Sequence, residues 1–285
     1  MGGSLPSSLR QLDRLQRLSF PGCSIGPSLP DWMGDDLTQL TILDLSTNRL
    51  RGTLPPTISR LTHLTTLRLA NNLVESTLHI FQALTNLHSM EIQNNMFKGQ
   101  LDSEVLSNWM HLDHFNASEN QLSGSLPVDV LGHATLREVD LRYNRFSGSI
   151  PSQLLTLNSK LEILALDWNE LEGSLPTVLS DLVAIQAFGV SFNLLTGTIS
   201  DSMASWRHVQ SLSLDHNPFH PGTVPLFLWR MPSLQRLHLS DAGLTGTIPK
   251  SIGFLSTLQS LDVSWNTLTG SLPDEMSRLT NLGKC

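Results

Sequence analysis

The chain has 285 residues, 40% apolar and 15% charged, with a formal charge of −7 drawn from both signs; a packed core is feasible, in one large domain or two ordinary ones. No run of Lys and Arg forms a nucleic-acid footprint, and nothing approaches the ~18 consecutive apolar residues of a transmembrane helix, so nucleic-acid binding and membrane insertion by this segment are excluded. With only Cys23 and Cys285 the chain is no disulfide scaffold, and its opening MGGSLPSSLRQ shows no basic and apolar leader.

In chain order, the first complete phrase is LDLSTNRLRGTLP at 43–55, and it returns as VDLRYNRFSGSIP at 139–151, LALDWNELEGSLP at 164–176 and LDVSWNTLTGSLP at 261–273. With Asn48 as register mark, the same slot holds Asn72, Asn95, Asn120, Asn144, Asn169, Asn193, Asn217 and Asn266, with Cys23 and Ala242 each standing in once. Neighbouring slots lie 23 to 25 residues apart, which makes eleven units. Within a unit, the alternation of LTILDLST predicts a strand with Leu43 and Leu45 inward and Ile42, Asp44 and Ser46 outward. Gly followed by Leu-Pro or Ile-Pro then forces a turn. One unit cannot bury its own apolar edge, so the units stack and share a core, with their strands aligned in a parallel sheet. The Asn amide carries two donors and an acceptor and is expected to satisfy turn backbone groups that would otherwise be buried unpaired. Cys23 keeps a weak donor for that task. Ala242 has none, so one rung is expected to be missing there.

The pattern LxxLxLxxNxLxGxIP/LPxxLxxLxxL resembles the plant-type leucine-rich repeat, found in ectodomains of receptor-like kinases, receptor-like proteins and polygalacturonase inhibitors. The resemblance implies a right-handed horseshoe solenoid, with a parallel sheet on its concave face and a 3-10 or irregular convex side. It is expected to be a single domain over 1–285. It also implies non-catalytic recognition, with no cofactor, no metal and no catalytic residue. The paired-cysteine cap of those ectodomains is absent, GSLP at 3–6 and LTNL at 279–282 fall mid-repeat, and no kinase motif follows. The expectation is an internal stretch of a longer protein whose isolated ends associate or fray.

Candidate sites follow from the columns that stacked strands create. Asp44, Arg68 and Glu91 on successive strands predict a surface charge ladder. Trp109 and Trp206 replace Leu at core positions. His111 and His114 are read as surface residues, and Asn116 opens the only permitted N-glycosylation sequon, facing outward from a strand. Glu138, Asp140, Arg142 and Arg145 mix both signs beside Tyr143. The slot before the ladder reads Gly22, Thr47, Asn71, Asn94, Glu119, Tyr143, Trp168, Phe192, His216, Asp241 and Trp265. Four consecutive ring-bearing residues there form a stripe, which suits either ligand anchoring or packing of ring on ring. Arg142, Tyr143, Trp168, Phe192, His216, Asp241 and Trp265 are the residues assigned to contact a protein, peptide or glycan. His216, Asp215, His238 and Asp241 are the right types for a divalent ion, but their spacing comes from the repeat. The stretch 215–225 is one residue long against its counterparts and marks an irregular zone at 217–243. Cys23 and Cys285 stand on the order of 50 Å apart at strand spacing and cannot pair. The resemblance points to the cell surface or exterior. The low cysteine count and lone sequon keep an intracellular scaffold as an alternative, beside a secreted inhibitor of a wall-degrading hydrolase.

Overall fold

The computed structural model describes residues 3–127, 135–152 and 160–284; Cys285 lies outside them. The chain divides into two compact units, Met1–Phe146 and Ser147–Cys285.

In the first unit the strands Arg17–Ser19, Ile42–Asp44, Thr66–Arg68, Ser89–Glu91, His114–Asn116 and Glu138–Asp140 pair in sequence order, all parallel. Their register sets Leu18, Leu43, Leu67, Met90, Phe115 and Val139 in one buried file. In the second unit the strands Ile163–Ala165, Ala187–Gly189, Ser211–Ser213, Arg236–His238 and Ser260–Asp262 do the same with Leu164, Phe188, Leu212, Leu237 and Leu261. The period of two turns every other side chain outward, so each strand offers an apolar face to the core, and most offer a polar one to solvent, Ile163–Ala165 and Ala187–Gly189 excepted. This is the parallel solenoid that the repeat implies.

The ladder residues tie coil to coil. Asn72 donates Nδ2–H to the carbonyls of Leu69, Ala70 and, one coil earlier, Leu45, while its Oδ1 accepts from the Leu50 N–H at 3.0 Å. Asn193 repeats this with Val190, Ser191, Leu166 and the Leu171 N–H. Asn48, Asn95, Asn120, Asn144, Asn217 and Asn266 bond in the same way, and Asn169 donates to Leu166 and Asp167. Each amide therefore serves backbone groups that the turn buries. Cys23 manages one weak bond, from Sγ to the Pro21 carbonyl at 3.5 Å. At Ala242 the rung is missing: the Phe219 N–H, which an Asn there would receive, turns back onto Asn217 O at 2.8 Å. Asn266 Oδ1 then accepts from both Ala242 N and Leu244 N.

On the opposite side the coils return through short turns. Pro55, Pro176, Pro249 and Pro273 stand extended, with φ between −65° and −82°, immediately before 3-10 segments. Among the described residues two segments, Trp32–Asp36 and Ser103–Ser107, are α-helical instead. Past the ladder the chain adds short parallel pairings that a single-sheet reading does not anticipate: Arg51–Gly52 with Leu73–Val74, and Gly222–Thr223 with Leu244–Gly246. Glycines at positive φ, Gly52 at 70° and Gly246 at 81°, turn the chain within these strands. Trp109 and Trp206 are both buried, and each donates its indole N–H to a carbonyl of an earlier coil, Phe81 and Leu179.

Candidate functional site

Each coil must leave its strand sharply enough for the ladder Asn to reach back. The residue before the ladder makes that turn. Thr47, Asn71, Asn94, Glu119, Tyr143, Trp168, Phe192, His216, Asp241 and Trp265 all adopt left-handed backbone, with φ between 48° and 57°. Gly22, in the same column, sits at 67°. Glycine takes this conformation freely and Asn readily, whereas a bulky side chain pays ~1–2 kcal/mol.

In the second unit the slot builds a shelf of rings. Trp168 and Phe192 stack with centroids 3.8 Å apart at 11°, and Phe192 and His216 follow at 4.1 Å and 26°. His216 Nδ1 lies 3.4 Å from Asp241 Oδ2. Stacking leaves Phe192 and His216 half-buried, but Trp168 keeps 44% of its surface open and Trp265 84%. Trp168, Phe192, His216 and Asp241 are thus brought together within one unit. Arg142 and Tyr143 belong to the first unit. There Arg142 is engaged with Asp140, Nε to Oδ1 at 2.9 Å and Nη2 to Oδ2 at 2.7 Å, and Tyr143 is 48% exposed.

Sequence reasoning missed a second layer beneath the shelf. In four coils the middle outward position of the strand carries a side chain that closes a local turn: Asp44 Oδ1 accepts from Ser46 N and Oγ, Asn116 Oδ1 from Ser118, Asp140 Oδ1 from Arg142 N and Asp262 Oδ1 from Ser264. Beneath Trp168 and Phe192 that position holds Ala165 and Gly189. A Cβ on Gly189 would meet Asp167 Oδ2 at 2.3 Å, so only glycine lets this carboxylate lie across the strand. Asp167 Oδ1 accepts from the Ser191 N–H at 2.9 Å, and Ser191 Oγ donates to Asp215 Oδ1. Two carboxylates therefore bracket one serine at the foot of the rings. The glycine inside a strand was the available signal.

The outward face of the first unit is charged but internally paired. Arg68 donates Nε–H to Glu91 at 2.9 Å, a bond that outweighs burial and raises the guanidinium above its ordinary range, while Asp44 turns to Ser46. His114 faces Asp113 Oδ1 at 2.8 Å and Glu138 Oε1 at 3.4 Å. Burial works to lower its pKa, but the bond to Asp113 and the charges of Glu138 and Asp113 prevail and raise it. His111 stacks on His88 at 5.5 Å, and both His111 and His114 are exposed at the surface, as expected.

Of the divalent-ion types, His238 Nε2 approaches Ser260 Oγ at 3.3 Å while Asp215 serves Ser191. Among the described residues, no group of three His, Cys, Asp or Glu is arranged to hold a metal, and no helix is long and apolar enough to cross a membrane. Asn116 lies half-buried on its strand. The carboxyl of Asp262 is lowered, first by the bond from the Ser264 hydroxyl and then by the Ser264 N–H.

The family profile described as Leucine Rich Repeat matches residues 39–61, 135–157, 233–255 and 257–279. The receptor-like kinase TMK2 of Arabidopsis thaliana is 33% identical over 129 residues, covering 43% of this chain and 14% of the relative. Receptor-like protein 39 of the same plant is 35% identical over 130 residues, 44% of this chain and 14% of the relative. Among solved structures, the plant peptide hormone receptor RGFR1 in complex with RGF2 matches 100% of the chain at a TM-score of 0.87 and 28% identity. The chain covers 49% of that structure, so it spans about half the length of the receptor it matches.

Proposed function

Because the chain is a leucine-rich-repeat solenoid similar to plant receptor ectodomains, we propose that it is a non-catalytic recognition module for a protein or peptide. The proposed docking surface is the outward strand face of the second unit, with Trp168, Phe192 and His216 as anchors, Asp241 at the edge and Trp265 beyond it. One observation carries this reading. The same left-handed backbone that bears Asn71 and Asn94 in the first unit bears stacked rings in the second, with Trp168 exposed at the end of the stack. The fold does not require those rings, and at this conformation it disfavours them. Stacked aromatics that stay open to solvent supply large contact area at small entropic cost. Arg142 and Tyr143 are proposed as contacts on the first unit, with Arg142 pre-set by Asp140.

The relatives are receptor-like kinases and receptor-like proteins, which supports a place at the cell surface or exterior as part of a longer protein. A glycan on Asn116 would stand on the first unit's face and leave the shelf of the second to the ligand.

The test is selection of a random dodecapeptide display library on the chain, counter-screened against the Trp168→Asn/Phe192→Asn variant. Binders that lose affinity for the variant are expected. Binders indifferent to it would move the docking surface elsewhere.

A further inference from the structure

The residue just before each strand forms a column of its own along the rim of the sheet, six positions ahead of the turn that bears the rings. In the first unit this column closes on the backbone: Thr41 and Thr65 donate their hydroxyls to the carbonyls of Gln16 and Thr41, one coil back. In the second unit it is filled by Glu162, Gln186, Gln210, Gln235 and Gln259, whose longer side chains reach towards one another. Gln186 Nε2 donates to Glu162 Oε2 at 3.0 Å, and Gln235 Nε2 donates to Gln210 Oε1 at 3.4 Å. An ionised carboxylate only accepts, so Glu162 fixes Gln186 with its nitrogen towards the earlier coil and its oxygen away from it.

Among the described residues no such bond joins Gln186 to Gln210. The break leaves Gln186 Oε1 as an acceptor and Gln210 Nε2 as a donor, neither of them hydrogen-bonded, on two half-buried side chains of neighbouring coils. Both amides line one groove of about 510 Å³, together with Glu162, Val183, Ala184 and His208. Val183 is 54% exposed and gives the groove an apolar wall.

We propose that this groove binds the primary carboxamide of an asparagine or glutamine side chain on a peptide or protein. Such a group carries its C=O and N–H on one edge, so it can accept from Gln210 Nε2 while donating to Gln186 Oε1, and it completes the amide ladder. A single trans peptide group points its C=O and N–H in opposite directions and cannot serve both. A carboxylate of the same shape has no donor for Gln186, and its charge has the same sign as that of Glu162. The groove lies at the opposite end of the strands from the ring shelf, and the proposal does not depend on the shelf.

The test is a random dodecapeptide selection on the intact chain at pH 8, counter-screened against the Gln186→Leu/Gln210→Leu variant, with the variant's fold checked by its urea midpoint. Groove-dependent binders are expected to be enriched several-fold in Asn and Gln over the input library. Replacing that residue by Asp or Glu should weaken binding about tenfold by calorimetry. Gln210→Glu turns the free donor into an acceptor at nearly constant shape and still accepts from Gln235, so it should weaken the Asn or Gln peptide to a similar degree. Absence of groove-dependent binders, equal affinity of the carboxamide and carboxylate peptides, or binding unchanged in Gln210→Glu each overturns the proposal. These readouts are separate from the Trp168→Asn/Phe192→Asn counter-screen, so either site can fail alone.

Discussion

Asn71 in the first unit and Trp168 in the second occupy the same place in their coils at nearly the same backbone angle, φ 56° and 57°. What each does with its neighbour is parallel as well. Asn94 Nδ2 donates to Asn71 Oδ1 at 2.9 Å, and Trp168 stacks on Phe192 at 3.8 Å. Two coils of the first unit fill the slot with Asn, which tolerates left-handed backbone, and three of the second fill it with Trp168, Phe192 and Trp265, which resist it. The difference shows that one and the same backbone turn accommodates an amide pair in one unit and a ring stack in the other.

Four perturbations can break or sharpen this comparison, starting with the largest. Trp109→Ala and Trp206→Ala delete equivalent buried indoles, one per unit, and each is expected to cost about 3–5 kcal/mol in urea unfolding. A markedly smaller cost in either unit would end the equivalence of their cores. Asn72→Ala and Asn193→Ala strand buried backbone groups and should cost roughly 2–3 kcal/mol each, whereas half-buried Asn48 should cost less because water can step in.

Trp168→Asn with Phe192→Asn should leave stability within about 1 kcal/mol of the parent, since lost stacking is offset by relief of the left-handed strain. A larger loss would make the ring stack a structural brace after all. The smallest effect is in the pH response. His114 has a raised pKa, so the stability it lends the first unit is complete below its ordinary value of ~6.5 and fades as pH climbs through the raised one. Asp262 has a lowered pKa, so its contribution to the second unit holds above the ordinary carboxylate range and fades as pH falls through the lowered value. Proton NMR of His114 should therefore show a raised midpoint that drops in Glu138→Gln. No drop would detach Glu138 from the cluster.

Much of this was legible in the sequence because the repeat converts position into place. The ladder, the slot column and the buried Trp109 and Trp206 all follow from counting 23 to 25 residues. Conformation and side-chain commitment do not follow from counting. Nothing in Thr47 or Trp168 announces positive φ, because the turn imposes it from outside. Arg142 looks available until Asp140, two residues back, is seen to hold its Nε and Nη2. Ala242 announces a lost rung, but not that the Phe219 N–H would find Asn217 O inside its own coil. The Asp167, Ser191 and Asp215 group escaped because its bonds run between coils, where a single-residue gap at Gly189 opens the way.

The ladder asparagine satisfies its turn whatever residue precedes it, Gly22 aside, from threonine to tryptophan. Each coil thus has one letter that can be rewritten while the grammar around it stays fixed. A change of spelling at that letter alters what the coil shows to solvent and leaves the ladder bonds around it in place.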